Sequence, residues 1–162
     1  VKTDVPKEFE VTLMDIDSEH LEIPESDYTA EFSITTKMFG SLVEQLEIFD
    51  ESMNVKCSEE NIEFKASGFE GSLSVNLYSD KVDYIDEYAI DEGGDLDLTF
   101  ASKHFQNFCK FNKVSKEVKL SFSDALPMQM LFMLDENIDE EEPSLNDHSY
   151  LRFCLAPKIS DE

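Results

Sequence analysis

The chain has 162 residues, 41% of them hydrophobic, which is enough for one domain with a buried core. Its 13 basic and 37 acidic residues give a formal net charge of −24, so the molecule as a whole should repel nucleic acid. No apolar run reaches the roughly 18 residues of a membrane helix, and three widely spaced cysteines without a Cys-x-x-Cys pair indicate free thiols in a reducing compartment.

The first 29 residues combine a strand with a surface loop. Phe9, Val11 and Leu13 alternate with polar residues, as in a strand. Residues 14–25 then alternate acids with aliphatic side chains and contain a proline near their end. The aliphatic side chains of this loop (Ile16, Leu21 and Ile23) either dock a partner or cover the domain's own core, and the residues leave both readings open.

A first structural unit follows, predicted to run β-α-β-β-β. A strand is predicted over 30–35 and a helix over 37–49. Three further strands are expected near 53–58, 61–66 and 72–78, with glycine-containing turns between the last two. The apolar positions at helical spacing are Phe39, Leu42, Val43, Leu46 and Phe49.

A second unit repeats this order after an acidic dividing segment, residues 79–94. Leu96, Leu98 and Phe100 alternate on a strand, and Ser102 is the predicted N-cap of a helix to about residue 111. Strands follow at 118–122, 128–134 and 150–155, with an acidic insert at 135–148. The predicted core stripe of the second helix is Phe105, Phe108, Cys109 and Phe111. A duplication at a spacing of roughly 65 residues predicts an α+β domain with two helices packed on one antiparallel sheet.

Catalytic and metal-binding patterns are weak. The three histidines (His20, His104 and His148) belong to different elements and lack a neighbouring nucleophile motif, and no Walker A or Gly-x-Gly-x-x-Gly pattern occurs. Residues 135–146 begin like an EF-hand loop, but Glu140 and Asn146 replace its glycine and its last glutamate. We therefore expect neither an enzyme nor a metal or cofactor site.

Basic residues concentrate in one segment. Residues 100–123 hold five of the twelve lysines and a single acid, Glu117. Lys103 and Lys110 lie two helical turns apart, so they share one face with Asn107. This face suits weak, sequence-independent contact with phosphates, although the lysines could equally serve only to solubilise the helix.

Three segments together resemble the proliferating cell nuclear antigen family of eukaryotic DNA sliding clamps. Residues 13–25 resemble the family's interdomain connecting loop, 64–68 one of its strand turns, and 155–159 its C-terminal signature. The resemblance implies the DNA-clamp fold, with repeat units at about 30–78 and 95–155 inside a C-terminal domain at 30–162. Residues 1–29 would be the last strand of an N-terminal domain plus the connecting loop. Because the chain starts at Val1, we interpret it as a cut piece lacking that N-terminal domain.

The same resemblance implies three sites. A pocket under the connecting loop would take a short helical plug, Gln-x-x-hydrophobic-x-x-aromatic-aromatic, from a client protein. Its residues here are Ile16, His20, Leu21, Ile23, Pro127, Cys154, Ala156 and Pro157, with Cys154 where an aromatic residue is usual. The DNA-facing residues are Lys103, Asn107, Lys110 and Lys113, whereas the first helix presents Ser41 and Glu44. The subunit interface would pair Phe9 with Ser72, Leu73, Ser74 and Val75 of a neighbour, so the piece itself could self-associate.

The expected function is that of a DNA sliding clamp, a polymerase processivity factor in replication and repair. Its expected partners are duplex DNA, DNA polymerase and other clients, a clamp loader and two further copies in a nuclear homotrimer, with no membrane. Two alternatives remain: a checkpoint-type clamp subunit in a heterotrimer, and an acidic protein-interaction module without a role on DNA.

Overall fold

The computed structural model describes residues 27–79, 85–134 and 149–159, together with residues 8, 10 and 12. Predictions for the connecting loop, the acidic insert and the strand before the loop therefore lie outside the described residues. They concern Phe9, Ile16, His20, Leu21, Ile23 and the segment 135–148.

The predicted β-α-β-β-β order is confirmed in both units, with one additional strand between them. In chain order the elements are β1 (Ala30–Thr35), α1 (Thr36–Glu47), β2 (Ser52–Cys57), β3 (Asn61–Gly68), β4 (Gly71–Tyr78), β5 (Ile85–Ile90), β6 (Leu96–Ala101), α2 (Ser102–Cys109), β7 (Glu117–Phe122), β8 (Met128–Met133) and β9 (Tyr150–Leu155).

Strand β5 lies within residues 79–94, which were predicted to be an acidic segment that divides the two units. Its pairing with β1 shifts register, since Glu31 faces Ala89 but Ser33 faces Asp86. Glu87 occupies the extra place with a positive φ of 56°. The bulge separates the inward residues Ile85 and Tyr88 by three positions, so the strict alternation that identifies a strand is absent.

The predicted single sheet is in fact two antiparallel sheets. One has the order β5-β1-β7-β8-β9 and is called sheet A; the other has the order β4-β3-β2-β6 and is called sheet B. Each sheet combines the last three strands of one unit with the first strand of the other, because β1 pairs with β7 and β6 pairs with β2. The alternation of apolar and polar residues predicts which face of a strand is buried, but it does not predict which neighbouring strand pairs with it.

Phenylalanines join both sheets and both helices in one core. The ring of Phe64 in β3 lies 6.3 Å from Phe32 in β1 and 6.1 Å from Phe39 in α1. Phe39 also lies 6.0 Å from Phe105 of α2, so the helices pack side by side on this core. Edge-to-face pairs of this kind add to the hydrophobic gain of burial.

Helical periodicity predicted the buried face of α1 correctly, but two predictions for α2 were wrong. Ala101 rather than Ser102 is the N-cap residue, and the buried Ser102 hydroxyl donates to the backbone oxygen of Asp50 at 3.3 Å. Phe111 is 41% exposed because α2 ends at Cys109, beyond which the helical period no longer holds. Within the described part of the chain, no helix is long and apolar enough to cross a membrane.

Candidate DNA-facing and partner-docking surfaces

Helix α2 presents a basic face opposite its buried side. Lys103, Asn107 and Lys110 are all exposed, whereas Phe105 is fully buried. The Lys110 ammonium donates to Asn107 Oδ1 at 2.7 Å, which confirms that these residues share one side. Lys113, also predicted here, is exposed in the turn that follows the helix. The face therefore offers exposed ammonium groups, one of which is hydrogen-bonded to Asn107, and such groups are of the kind that contacts phosphates.

The corresponding face of α1 differs in charge. Lys37, Ser41 and Glu44 are exposed along it. Glu44 lies close enough to α2 for its charge to act on Cys109. The pKa of that thiol is raised to about 11, chiefly by burial, while a hydrogen bond with Asn112 lowers it and the Glu44 carboxylate adds a smaller increase. The two helices thus place basic and acidic groups side by side, so the two helices together present a surface of mixed charge.

A polar brace fixes the helices relative to each other. The Thr36 backbone N–H donates to the Lys116 oxygen at 2.9 Å, and the Thr36 hydroxyl lies 3.1 Å from the Asn112 oxygen. In return, Asn112 Nδ2 donates to the Thr36 oxygen at 2.9 Å. A Cβ added at Gly40 would come within 2.5 Å of the same Asn112 nitrogen, so glycine permits this close approach.

The predicted docking residues that the structure describes meet at one corner of sheet A. Met128 pairs with Leu155 in the antiparallel register of β8 and β9. One step further along this register brings Pro127 opposite Ala156, and both are exposed. Cys154 lies half-buried beside them, and burial raises the pKa of its thiol, which keeps it protonated at neutral pH. We call this group, with Pro157, the docking corner.

Tyr28 is a docking-corner neighbour that the sequence did not reveal. Its hydroxyl donates to the Pro127 oxygen at 3.3 Å, with Gln129 Oε1 at 3.4 Å as the alternative acceptor. Burial, followed by the charge of Cys154, raises the pKa of Tyr28, while the nearby Arg152 lowers it. The only available signal was the position of Tyr28 between the predicted loop and β1, and this position does not specify a contact 99 residues away along the chain.

The segment after the docking corner passes from sheet A to sheet B. The Lys158 backbone N–H donates to the Thr99 oxygen at 2.6 Å, and its ammonium donates to Ser52 Oγ at 2.5 Å. Pro157 lies half-buried on this path. The crossing anchors the backbone after Ala156 next to the corner.

The predicted subunit-contact residues lie on an edge strand. Strand β4 is outermost in sheet B and has no charged side chain. Ser72 and Ser74 are exposed, while Leu73 and Val75 are half-buried against the core. An uncharged edge strand of this length is a ready template for pairing with another chain.

The outer face of sheet B, opposite the core, carries a shallow cavity of about 350 Å³ whose polar groups are largely paired with one another. Asn54 Nδ2 donates to Asp97 Oδ1 at 2.6 Å, and Lys56 forms an ion pair with the same carboxylate at 2.8 Å. These two contacts hold the pKa of Asp97 below its usual value. Among the described residues, no group of three or more His, Cys, Asp or Glu side chains could hold a metal ion.

Comparison with known proteins gives a consistent result. The family model described as "Proliferating cell nuclear antigen, C-terminal domain" matches residues 22–141. Proteins named proliferating cell nuclear antigen from Chaetomium thermophilum and Caenorhabditis elegans are 33% and 32% identical, each over 99% of this chain. Proliferating cell nuclear antigen 2 of Drosophila melanogaster is 27% identical over 95% of it. The chain spans only 55–59% of the length of these relatives.

Proposed function

Because the chain belongs to the proliferating cell nuclear antigen family, we propose that it supplies the C-terminal domain and connecting loop of a DNA sliding clamp. The observation that carries this proposal is the family match over residues 22–141, together with two side-by-side helices of which one has a basic exposed face. The clamp would act as a polymerase processivity factor and would dock replication and repair proteins. Its action would be topological rather than catalytic.

The helices would face the DNA. A ring that encircles a duplex needs no tight grip, and weak, sequence-independent contacts allow it to slide. The exposed ammonium groups of Lys103 and Lys110 supply such contacts, while Glu44 on the neighbouring helix keeps them weak. The acidic remainder of the chain would keep DNA away from other surfaces.

Assembly would use the edge of sheet B. Strand β4 of one copy would pair with residues 7–13 of the next, placing Phe9 against Ser72–Val75, so that three copies close a ring. Such a ring would need a clamp loader to open it around DNA, and replication places it in the nucleus.

Client proteins would bind at the docking corner beneath the connecting loop. Pro127, Ala156 and Pro157 offer a small apolar surface, and Cys154 leaves room where a larger side chain is usual in the family. An amphipathic plug inserted there would follow the helix-in-groove mode of recognition. Leu21 and Ile23 of the loop would form its other wall.

The two alternative functions have less support. The relatives reported above are named proliferating cell nuclear antigen, which supports the sliding-clamp proposal over a checkpoint-type subunit. An acidic interaction module without a role on DNA would account for the net charge, but not for a basic face on α2.

Calorimetric titration with a peptide of the form Gln-x-x-Leu-x-x-Phe-Phe tests the docking function. We expect micromolar affinity for the native chain, and loss of binding in the Leu21→Ala, Ile23→Ala double variant with the fold intact. A matched double variant on an exposed face of sheet B, Ser67→Ala with Ser72→Ala, should bind normally. Equal affinity of all three proteins would remove the assignment of the pocket.

A further inference from the structure

On the outer face of sheet A, opposite the core, the side chains form two rows that run across the strands. Cross-strand pairing aligns Glu31, Ser121, Gln129 and Cys154 in the first row. It aligns Ser33, Lys119, Leu131 and Arg152 in the second. The residues between them along β9, Leu151 and Phe153, pack on the core, so Arg152 and Cys154 point outward on the same side.

The described cations of this face are Lys119 and Arg152, and they differ in their partners. Lys119 forms an ion pair with Glu31 at 3.1 Å, and Ser121 Oγ donates to the same carboxylate at 2.8 Å. Arg152, the only arginine of the chain, has no ion pair among the described residues. Its guanidinium lies 5.1 Å from the centre of the Tyr150 ring. Among the described residues of this face, Arg152 is therefore a cation without a carboxylate partner, in a protein whose net charge is −24.

The Arg152 guanidinium also has an unmet hydrogen bond. Its Nε is buried and has no acceptor. A buried donor without a partner loses the hydration it would have in water, which is a net cost to stability. Leu131, the next residue in the row, is only 7% exposed although it points away from the core, so this part of the face excludes water. An acceptor arriving here would meet a guanidinium that is already partly desolvated.

Arg152 adjoins the docking corner. It lies two residues before Cys154 on β9, about 7 Å along the strand. Its positive charge lowers the pKa of both Cys154 and Tyr28, opposing the larger effect of burial, so it acts on two residues of the site at once. A peptide seated on Pro127 and Ala156 would have its flanking residues within reach of the guanidinium.

We propose that Arg152 is a specificity-determining residue of the docking corner and that it binds an aspartate or glutamate side chain flanking the plug of a client peptide. The proposal rests on the docking function proposed above. The planar guanidinium can donate to a carboxylate through parallel N–H groups of its two terminal nitrogens, while its Nε stays buried. Clients with an acidic flank would thus be preferred over clients with a neutral one.

The sign of this preference distinguishes a local contact with Arg152 from the long-range electrostatic effect of the protein's net charge. A chain with a net charge of −24 repels acidic peptides at long range. At physiological ionic strength such repulsion is screened beyond about 8 Å. An acidic preference therefore requires a cation close to the bound peptide. The described cations near this corner are Arg152 and Lys158, and the Lys158 ammonium already donates to Ser52 Oγ on sheet B.

The test compares peptides that contain Gln-x-x-Leu-x-x-Phe-Phe and differ only in a flanking Glu or Gln, placed before the plug in one pair and after it in the other. We expect the better-placed Glu to tighten binding by about 3- to 10-fold, as for a well-oriented charged contact. In Arg152→Gln, the Glu peptides should bind no more tightly than the Gln peptides, and the affinity for the Gln peptides should be retained. In Arg152→Lys, part of the preference for the Glu peptide should remain.

Lys119→Gln is the matched control. It changes the net charge by the same amount in the same row of the same face, but Lys119 is already paired with Glu31 and lies two strands away, about 10 Å from Arg152. The native Glu/Gln ratio should persist in this variant. Equal affinity for Glu and Gln peptides, or a ratio unchanged in Arg152→Gln, would overturn the proposal and leave the docking function standing. Failure of every peptide to bind would remove the docking function and the role of Arg152 with it.

Discussion

The outer faces of the two sheets differ although the sheets are built in the same way. On sheet B, polar side chains satisfy one another: Asn54 and Lys56 both bind Asp97, and Asn61 Nδ2 donates to Asn76 Oδ1 at 2.8 Å. On sheet A, the Glu31–Lys119 pair is complete, but the Arg152 guanidinium is left with a buried, unpaired Nε.

This difference shows that the duplicated architecture alone does not specify where a partner binds. Each sheet joins three strands of one unit to the first strand of the other, and both rest on the same phenylalanine core. What distinguishes them, among the described residues, is the kind of group left without a partner: on sheet A it is a guanidinium with a buried Nε, whereas on sheet B it is the exposed ammonium of Lys65, which water can solvate. The edge of sheet B, with its uncharged β4, adds a second available surface of a different kind.

The largest expected effect concerns the core that the two sheets share. Phe64→Ala should lower the free energy of unfolding by about 3–5 kcal/mol, because it removes a fully buried ring that contacts both sheet A and α1. Phe69→Ala, in the turn at the end of the same strand, removes a fully exposed ring. It should change the free energy of unfolding by less than about 0.5 kcal/mol. Urea denaturation followed by circular dichroism measures both. Similar losses in the two variants would mean that the core does not join the sheets as described.

A smaller effect is expected where the two units are braced together. Thr36→Val keeps the shape of the side chain but removes the hydroxyl that faces the backbone oxygens of Asn112 and Ser115, so stability should fall by about 1–2 kcal/mol. Thr35 supplies the matched control, since it is exposed and its side chain makes no capping hydrogen bond. Denaturation midpoints compare the two. A loss in Thr35→Val as large as that in Thr36→Val would contradict the brace.

The smallest expected effect concerns the edge of sheet B. If β4 pairs with another copy, Ser72→Lys should weaken self-association of the chain by about fivefold, or about 1 kcal/mol, because charge on an edge strand opposes pairing. Ser67→Lys adds the same charge on the cross-strand partner in β3, which is not an edge, and should have little effect. Sedimentation velocity over a concentration series distinguishes them. A strictly monomeric native chain at high concentration would count against β4 as an interface.

The helices and most strands could be predicted from the sequence because their signals are local. The spacing of Phe39, Leu42, Val43 and Leu46 specifies the buried face of α1, and all four are buried. The shared face of Lys103 and Lys110 follows from a seven-residue spacing and needs no tertiary information.

The remainder depends on contacts between residues far apart in the sequence. Strand β5 was missed because the bulge at Glu87 removes its alternation, and the two sheets were predicted as one because β1 and β6 each pair outside their own unit. Tyr28 joins the docking corner only through a hydrogen bond to Pro127, and Arg152 and Cys154 meet Pro127 only through the pairing of β8 with β9. No spacing within a single segment encodes such neighbours.

The claim that the chain is part of a sliding clamp is tested most directly by the topology of its attachment to DNA. A ring assembled from the whole protein is loaded onto nicked circular duplex, and the amount retained is measured before and after the circle is cut. The account predicts stable retention on circles and rapid loss once free ends are present, with less protein loaded when Lys103 and Lys110 are both replaced by glutamate. Equal retention on circular and linear DNA, or none on circles, would contradict it.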